Sequence, residues 1–503
     1  MRQIEADIII VGGGASGQAA AVQAAEAGAS VIILEKSTTT GGAANMGNGF
    51  FAVESHHQLA AMDTLTVQQA FEEFMEYSHW KVNPLLVRRF IGMSASTIEW
   101  VEKMGVQFVG VYKYFHDSRQ TWHIIKVPGS DKPTERAGAI CQKALTERAQ
   151  ALGVQYEFGV TAKEVMLEDG RAIGVRGVDA DGEELEAYGD AVIIGCGCFV
   201  NCPEMAQLCF GDDGTQDGVG LGIPGLTGDG MRMCWQAGGG KTHLFKRGDC
   251  FVVGITDIFK TLGETMHQYN LIVDLNGKRF MNEMVLSNAD YIYEIAAARK
   301  GRQFLMIIND EILDFYKAHG LEYVTVQHNI KDISAWDKEL DMYQRGEVMD
   351  NPLAFMHKDD PRPKGLYVFD TIEQLCAELG VNQANLEATL ERYNSMAGQF
   401  DLDFFKPARY MKPIRGGKYY VARYTPCGCG ALGGVMTDEN MSVLTQEGEV
   451  IPGLYCVGTD ANNLYSEIYN HRYPGCLMGF ALNSGRIAGM ESVKYIQNLD
   501  FGD

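Results

Sequence analysis

The chain of 503 residues is 46% hydrophobic and 21% charged, enough to bury a large core in two or three domains. A formal charge of −22 without clustered lysine or arginine excludes a nucleic-acid or anionic-membrane partner, and no apolar run reaches membrane-spanning length. The 12 cysteines form no disulfide-scaffold pattern, and neither Cys196, Cys198 and Cys202 nor Cys427 and Cys429 have zinc or iron–sulfur spacing. Reduced, mostly buried thiols and no metal site are expected.

The first predicted element is a βαβ unit: the apolar run 6–11, then Gly12-x-Gly14-x-x-Gly17, an Ala-rich helix, the apolar run Val31–Leu34, and Glu35. Gly12 permits the tight turn, Gly14 lets backbone approach a pyrophosphate, and Gly17 lets helix pack on strand. The free N–H groups at Gly14, Ala15, Ser16 and Gly17 suit an anion. Glu35, 18 positions after Gly17, ends the second strand where a carboxylate can bind both hydroxyls of a ribose. Strand, glycines, helix, strand and acid in register predict dinucleotide binding. The unit begins within the first ten residues, which leaves no room for a secretory or twin-arginine signal, so a cytoplasmic protein is expected.

Beyond Lys36, the stretch Gly41-Gly42-Ala43-Ala44-Asn45-Met46-Gly47-Asn48-Gly49 reads as backbone lying against a ligand. Residues 66–106 show helical spacing of apolar side chains. Short strands follow at 154–158, 164–167, 172–178, 184–187 and 191–194, with hairpin turns at 168–170 and 179–182, which predicts a β-meander. A helix opens at Thr227–Gly230, and the small residues Ala237–Gly240 read as a domain junction. The stretch 241–414 mixes strands and helices without a second nucleotide fingerprint and reads as an insertion. Strands then return at 419–423, 433–436 and 454–457, before a closing helix from about 476 to 496. The expected fold is α/β: a discontinuous nucleotide-binding domain (1–240 and 415–503) with an inserted α+β domain (241–414).

Several segments together resemble the flavoprotein family of fumarate reductases, urocanate-type reductases and 3-ketosteroid dehydrogenases. They are the N-terminal unit, the 41–49 loop, Gly195–Phe199, Thr227–Gly230, GKRFMNE at 277–283, IPGLYCVG at 451–458, and NHRYPG with GRIAG at 470–489. The resemblance implies a Rossmann-type FAD-binding domain and a capping domain. FAD would lie with pyrophosphate at Gly14–Gly17, ribose at Glu35, and adenine near the backbone of Val160. Its isoalloxazine would lie between Gly47, Asn48 and Gly49 and the segment Gly475, Cys476, Leu477 and Met478. Further contacts are implied at Lys36, Gly197, Asp229, Gly458 and Asp460. The N–H groups at 475–478 open the final helix and suit the negative charge of a reduced flavin. In members with covalent FAD a histidine occupies the loop where Ala43 and Ala44 stand here, so FAD is expected to be non-covalent. With one strong fingerprint, electrons must come from an external donor or go to an external acceptor.

The family chemistry is hydride transfer at flavin N5 to or from a carbon next to a carbonyl or carboxylate, with proton movement on the adjacent carbon. In the fumarate reductase type, an arginine fourteen residues before that of the GR pair anchors substrate; Arg472 stands there, before Arg486. Its fork would hold a carboxylate bidentately. The proton-handling residue, four places after the Glu of the NE pair, is here Ser287, and the expected substrate histidine before Gly433 is Cys429. Ser287 has no useful acidity, which leaves Tyr473, near a cation, or Tyr291, one helical turn past Ser287, to handle the proton. Glu467, Tyr469 and His471 lie in an apparent insertion that shapes the pocket. The leading reading is an FAD-dependent enzyme reducing an activated C=C bond in an enoate or enone. The alternatives are ketosteroid-dehydrogenase-like desaturation beside a ketone and a non-catalytic electron-transfer flavoprotein subunit.

Overall fold

The computed structural model describes residues 1–133, 136–199, 202–211, 225–252, 255, 259–326, 328–347 and 365–500. The chain forms two compact units, one of Met1–Asp213, Ile223–Arg247 and Gly430–Asp503, the other of Gly214–Gly222 and Gly248–Cys429.

The first unit is organised by a six-stranded sheet in the order Ser442–Leu444, Val450–Cys456, Ala191–Ile194, Ile8–Val11, Val31–Glu35, Gln155–Phe158. All neighbours are parallel except Ser442–Leu444 against Val450–Cys456. Ile8, Ile9, Ile10 and Val11 are all buried, as a strand covered on both faces requires. The helix Ala15–Glu26 buries Ala19, Ala20, Ala21 and Ala24, and its small side chains admit the final helix, Cys476–Asp500, at close range. A Cβ on Gly485 would lie 2.1 Å from the Ser16 carbonyl oxygen, and one on Gly489 would lie 2.6 Å from that of Ala20. The GRIAG motif is therefore a packing device.

Of the five strands expected to make the meander, Thr161–Glu168, Arg171–Val178 and Glu184–Tyr188 do so, whereas Gln155–Phe158 and Ala191–Ile194 join the parallel sheet; Arg2–Glu5 extends the meander in parallel with Glu184–Tyr188. Asp169 and Gly170, at φ +50° and +80°, make its tight turn. A further three-stranded sheet, not anticipated from sequence, joins Gly49–Phe51, Trp122–Ile125 and Phe108–Tyr112. The expected helices at 66–106 form as Val67–Tyr77 and Pro84–Glu102.

In the second unit, Tyr419–Tyr424 pairs on one side with Phe304–Asn309, which carries Leu271–Val273 on its other edge, and on the other side with Leu366–Phe369. The GKRFMNE segment supplies a buried charge cluster. Arg279 donates to Glu283 at 2.7 and 2.8 Å and to Asp401 at 2.6 Å, while Lys406 reaches Glu283 at 2.8 Å. The units part within two strands, Phe245–Val252 and Tyr419–Gly434, rather than at Ala237–Gly240 and 414. Gly239 and Gly240 are instead close-packing positions: their Cβ atoms would lie 2.7 Å from the Cys234 carbonyl and 2.9 Å from that of Thr445.

Placing valine at Gly485 drives a branched side chain into the backbone of the first helix. A loss of about 1–3 kcal/mol or more is expected for such overpacking. Thermal unfolding of Gly485→Val beside Gln497→Val, at an exposed position of the same helix, would read it, the glycine variant melting several degrees lower; equal melting points would remove the packing role.

Candidate active site

The predicted cofactor residues fall into three local groups, all in the first unit. In the first, Gly12, at φ +103°, turns the strand into the helix, and its Cβ would lie 2.3 Å from the Gly195 carbonyl. Gly17 cannot carry a side chain either, because its Cβ would meet the Gly12 carbonyl at 1.9 Å. Gly14 differs: a Cβ there would meet nothing within 4 Å among the described residues, so open space lies over the helix N-terminus. Gly14 is also the N-cap, and with no side-chain cap it leaves the first-turn N–H groups available. Beside them Glu35 accepts from the Gly13 N–H at 2.7 Å and the Ser37 N–H at 2.8 Å, which orients the carboxylate and leaves acceptor capacity. The loop lies against this turn, with Gly41 N–H donating to the Gly13 carbonyl at 2.8 Å and Gly14 and Gly41 forming an isolated bridge. Gly42, Ala43 and Ala44 continue it as a 3₁₀ turn, Gly42–Met46. Val160 is buried, and its N–H donates to the Glu35 carbonyl at 3.1 Å, so that amide is already engaged.

The second group surrounds Asp460. This buried carboxylate accepts from the Gly197 N–H at 2.7 Å through Oδ2, while Oδ1 has no hydrogen-bond partner among the described residues. Burial pushes its pKa up to about 7, against the lowering effect of backbone N–H donors. Gly230 presses on it, a Cβ there falling 2.6 Å from Oδ1, and Gly458, at φ +65°, leaves room for the Ser16 hydroxyl. Lys36 and Asp229 bond each other at 2.8 Å, and Thr227 bonds both. Burial pushes the Asp229 carboxyl up, but the hydrogen bonds from Lys36 and Thr227 and the Lys36 charge outweigh it and hold it below its usual value. Their contacts are those of a tie between strand end and helix start.

In the third group the loop meets the head of the final helix: a Cβ on Gly47 would lie 2.7 Å from the Met478 sulfur. Gly475, at φ +89°, accepts from the Phe51 N–H at 3.0 Å, and the Asn48 carbonyl accepts from Ile125 N–H at 2.9 Å. Gly49 lies within the small sheet, Cys476 is buried, and Leu477 and Met478 are half-buried.

Arg472 and Tyr473 sit just before that helix. Arg472 Nε lies 3.0 Å from Glu73, and the Tyr473 hydroxyl donates to the same carboxylate at 2.6 Å. Arg119 donates to both Glu73 oxygens, through Nε at 3.0 Å and through its terminal nitrogen. Tyr473 is fully buried, between the edge-on ring of Phe51 and the stacked ring of Phe74. Burial and the bond to Glu73 push its pKa up, opposite to the lowering expected from a neighbouring cation. Arg119 and Arg472 line an open cavity of about 510 Å³ with Asp63, Lys113, His116 and Asp117. Glu467 pairs instead with Lys81, and Tyr469 and His471 contact each other edge to face. Glu73 and Arg119 were not singled out from sequence; neither belongs to a motif.

Ser287 and Tyr291 belong to the second unit. Ser287 closes the 3₁₀ turn Glu283–Ser287, its hydroxyl donating to the Met284 carbonyl at 2.9 Å. Tyr291 is 40% exposed on the helix Ala289–Ala297. Asn288, at φ −128° and ψ 106°, breaks the helical register between them, so the expected shared face does not form. Cys429 closes that unit, in the long strand Tyr419–Gly434.

Residues 7–476 match the FAD-binding domain family. The chain belongs to that family. It is 30% identical over 467 residues to the vinyl phenol reductase of Lactiplantibacillus plantarum, covering 90% of this chain and 89% of that one. It is 26% identical over 460 residues to a cytochrome-type fumarate reductase of Shewanella frigidimarina, covering 89% of this chain and 70% of that one. The fold is that of the 3-ketosteroid-Δ4-(5α)-dehydrogenase from Rhodococcus jostii, with TM-score 0.73, 21% identity and 98% coverage of both chains. The chain is an FAD-dependent oxidoreductase acting on CH–CH bonds.

The open space at Gly14, the uncapped helix start and the orphaned oxygen of Asp460 fit a bound dinucleotide. Gly14→Val, which fills that space, is expected to yield folded protein with less than a tenth of the native flavin, read from absorbance against protein content; full occupancy would dissociate this turn from the cofactor. Asp460 carries a second expectation. The folded chain without flavin keeps its proton up to about pH 7, whereas an unfolded aspartate releases it near about 3.9. The folded state thus binds the extra proton in that window, and this residue's contribution to stability falls as pH rises from about 4 to about 7. Flavin-free Asp460→Asn should gain melting temperature over the native chain at pH 8 relative to pH 5; a pH-independent difference would contradict the assignment.

Proposed function

We propose that this chain reduces the C=C bond of a small conjugated alkene, taking electrons from an external donor. The observation that carries the reading is the cluster of Arg472, Arg119, Glu73 and Tyr473 at the head of the final helix. The vinyl phenol and fumarate reductases it resembles act, by name, on alkenes. The first unit would form the FAD-binding domain and the second the capping domain. No helix among the described residues is long and apolar enough to cross a membrane, and a cytoplasmic location fits this reading.

FAD, when bound, supplies the two-electron chemistry. The N–H groups at Gly14–Gly17 would hold its pyrophosphate, and Glu35 its ribose. The Glu35 oxygens, already oriented by Gly13 and Ser37, have lone pairs left for hydroxyl donors. Arg472 and Arg119 present cationic donors to the polar end of the substrate and draw electron density from the conjugated bond. Tyr473 orients Glu73 and keeps its own proton. The Ser287 hydroxyl is spent on a backbone carbonyl, which takes it out of proton delivery.

Anaerobic stopped-flow absorbance tests the reading. Rapid oxidation of the reduced flavin by 4-vinylphenol, an enone or an enoate is expected. Bleaching of the oxidised flavin by a saturated ketone, with no response to any alkene, would overturn it in favour of desaturation. Arg472→Lys should retain flavin and lose about 10- to 100-fold in kcat/KM, since an ammonium does not reproduce the planar fork; unchanged kinetics would take Arg472 out of the site.

A further inference from the structure

Glu73 lies on the helix Val67–Tyr77, whose start is fixed by a capping box between Thr66 and Gln69. The next residue, Phe74, is buried and stacks on Tyr473 with ring centroids 6.0 Å apart, so the same turn sets both side chains. One oxygen of Glu73 accepts from the Tyr473 hydroxyl at 2.6 Å and from Arg119 Nε at 3.0 Å, and Arg472 Nε lies 3.0 Å from it as an ion pair. The Arg119 N–H also donates to the Arg472 carbonyl at 2.7 Å, which ties the two arginines through backbone. Glu73 therefore offsets part of the positive charge that Arg472 and Arg119 would otherwise present to a carboxylate.

Resting on the reductase reading above, we propose that Glu73 is an internal counter-ion that positions Arg472 and selects an uncharged conjugated alkene over its carboxylate analogue. A carboxylate brought to the Arg472 fork sits near the negative charge of Glu73, which offsets the attraction of the arginines and counts for more where the group is partly buried. A neutral phenol or carbonyl uses the remaining donors without adding charge. Glu73 stays ionised in this setting: burial raises its pKa, but bonds from Arg119 and Tyr473 and the Arg472 charge outweigh it and hold the carboxyl below its usual value. Glu73 acts through Arg472 and is a positioning residue.

The test uses flavin-loaded, oxidised protein and two ligands with the same ring that cannot be reduced, 4-ethylphenol and 3-(4-hydroxyphenyl)propanoate. Calorimetric titration should show the native chain binding the phenol at least about tenfold more tightly than the acid. Glu73→Gln, which keeps shape and removes charge, should shift that ratio at least about tenfold toward the acid, chiefly by gaining affinity for it. Adding Arg472→Gln should abolish the gain. Glu73→Ala is the second variant, and flavin content reports that each folds. A ratio unmoved within about threefold in both Glu73 variants, or a native preference for the acid, would overturn the proposal. Anaerobic turnover of 4-vinylphenol and 4-hydroxycinnamate separates the two readings. Turnover of either alkene with an unmoved ratio sinks the counter-ion and leaves the reductase; a shifted ratio without turnover does the reverse.

Discussion

The close approach of the first and last helices is the constraint on which the first unit depends. Gly485 and Gly489 lie four positions apart, hence on one helical face, and each sits against a backbone carbonyl of the first helix. Interiors tolerate little added volume, so only the smallest residues permit this spacing. The consequence is positional. It seats the start of the final helix beside Gly47 and Phe51, and it sets Ser484 to accept from the Gly458 N–H at 2.9 Å. Two of the three candidate cofactor groups thus inherit their geometry from one helix contact.

Buried charge is handled in two different ways. In the second unit, Arg279, Glu283, Asp401 and Lys406 satisfy one another, with Lys406 also donating to the Tyr269 carbonyl at 3.1 Å and the Tyr393 hydroxyl at 3.0 Å. Such a network specifies a packing arrangement, with Arg279 Nη1 its one buried side-chain polar atom left without a hydrogen-bond partner among the described residues. Asp460 is the opposite case, equally buried but with one oxygen unanswered. A buried acceptor without a donor is a cost that packing does not return, and a ligand hydroxyl is the kind of group that removes it.

What could be read from sequence follows from range. The βαβ unit, the meander and the helices at 66–106 announce themselves through local period and turn glycines, and they form where expected. The strand Arg2–Glu5 is mostly exposed and lacks apolar alternation, so no pattern marks it. The sheet of Gly49–Phe51, Trp122–Ile125 and Phe108–Tyr112 joins short strands far apart in the chain. Glu73 is the sharpest case: Arg119 is 46 residues away and Tyr473 is 400 away, and an acid on an amphipathic helix looks like any solvated surface group. The helical face expected to be shared by Ser287 and Tyr291 does not form, for the opposite reason: four-residue spacing implies a shared face only where the helix is continuous.

The same cluster decides what the YPG turn can do. Seen beside Arg472 in the sequence, Tyr473 reads as an acidified phenol, because a cation stabilises phenolate. Folding supplies two stronger influences of opposite sign: complete burial, which penalises the charged form, and a carboxylate that accepts the hydroxyl's hydrogen bond and would repel a phenolate. The cations act partly through Glu73, since Arg119 spends donors on it and Arg472 is paired with it in charge. A phenol in that position gives its hydrogen bond and keeps its proton. The turn is thus built for polarity and orientation, and the proton that completes reduction has to come from a group that can exchange with water.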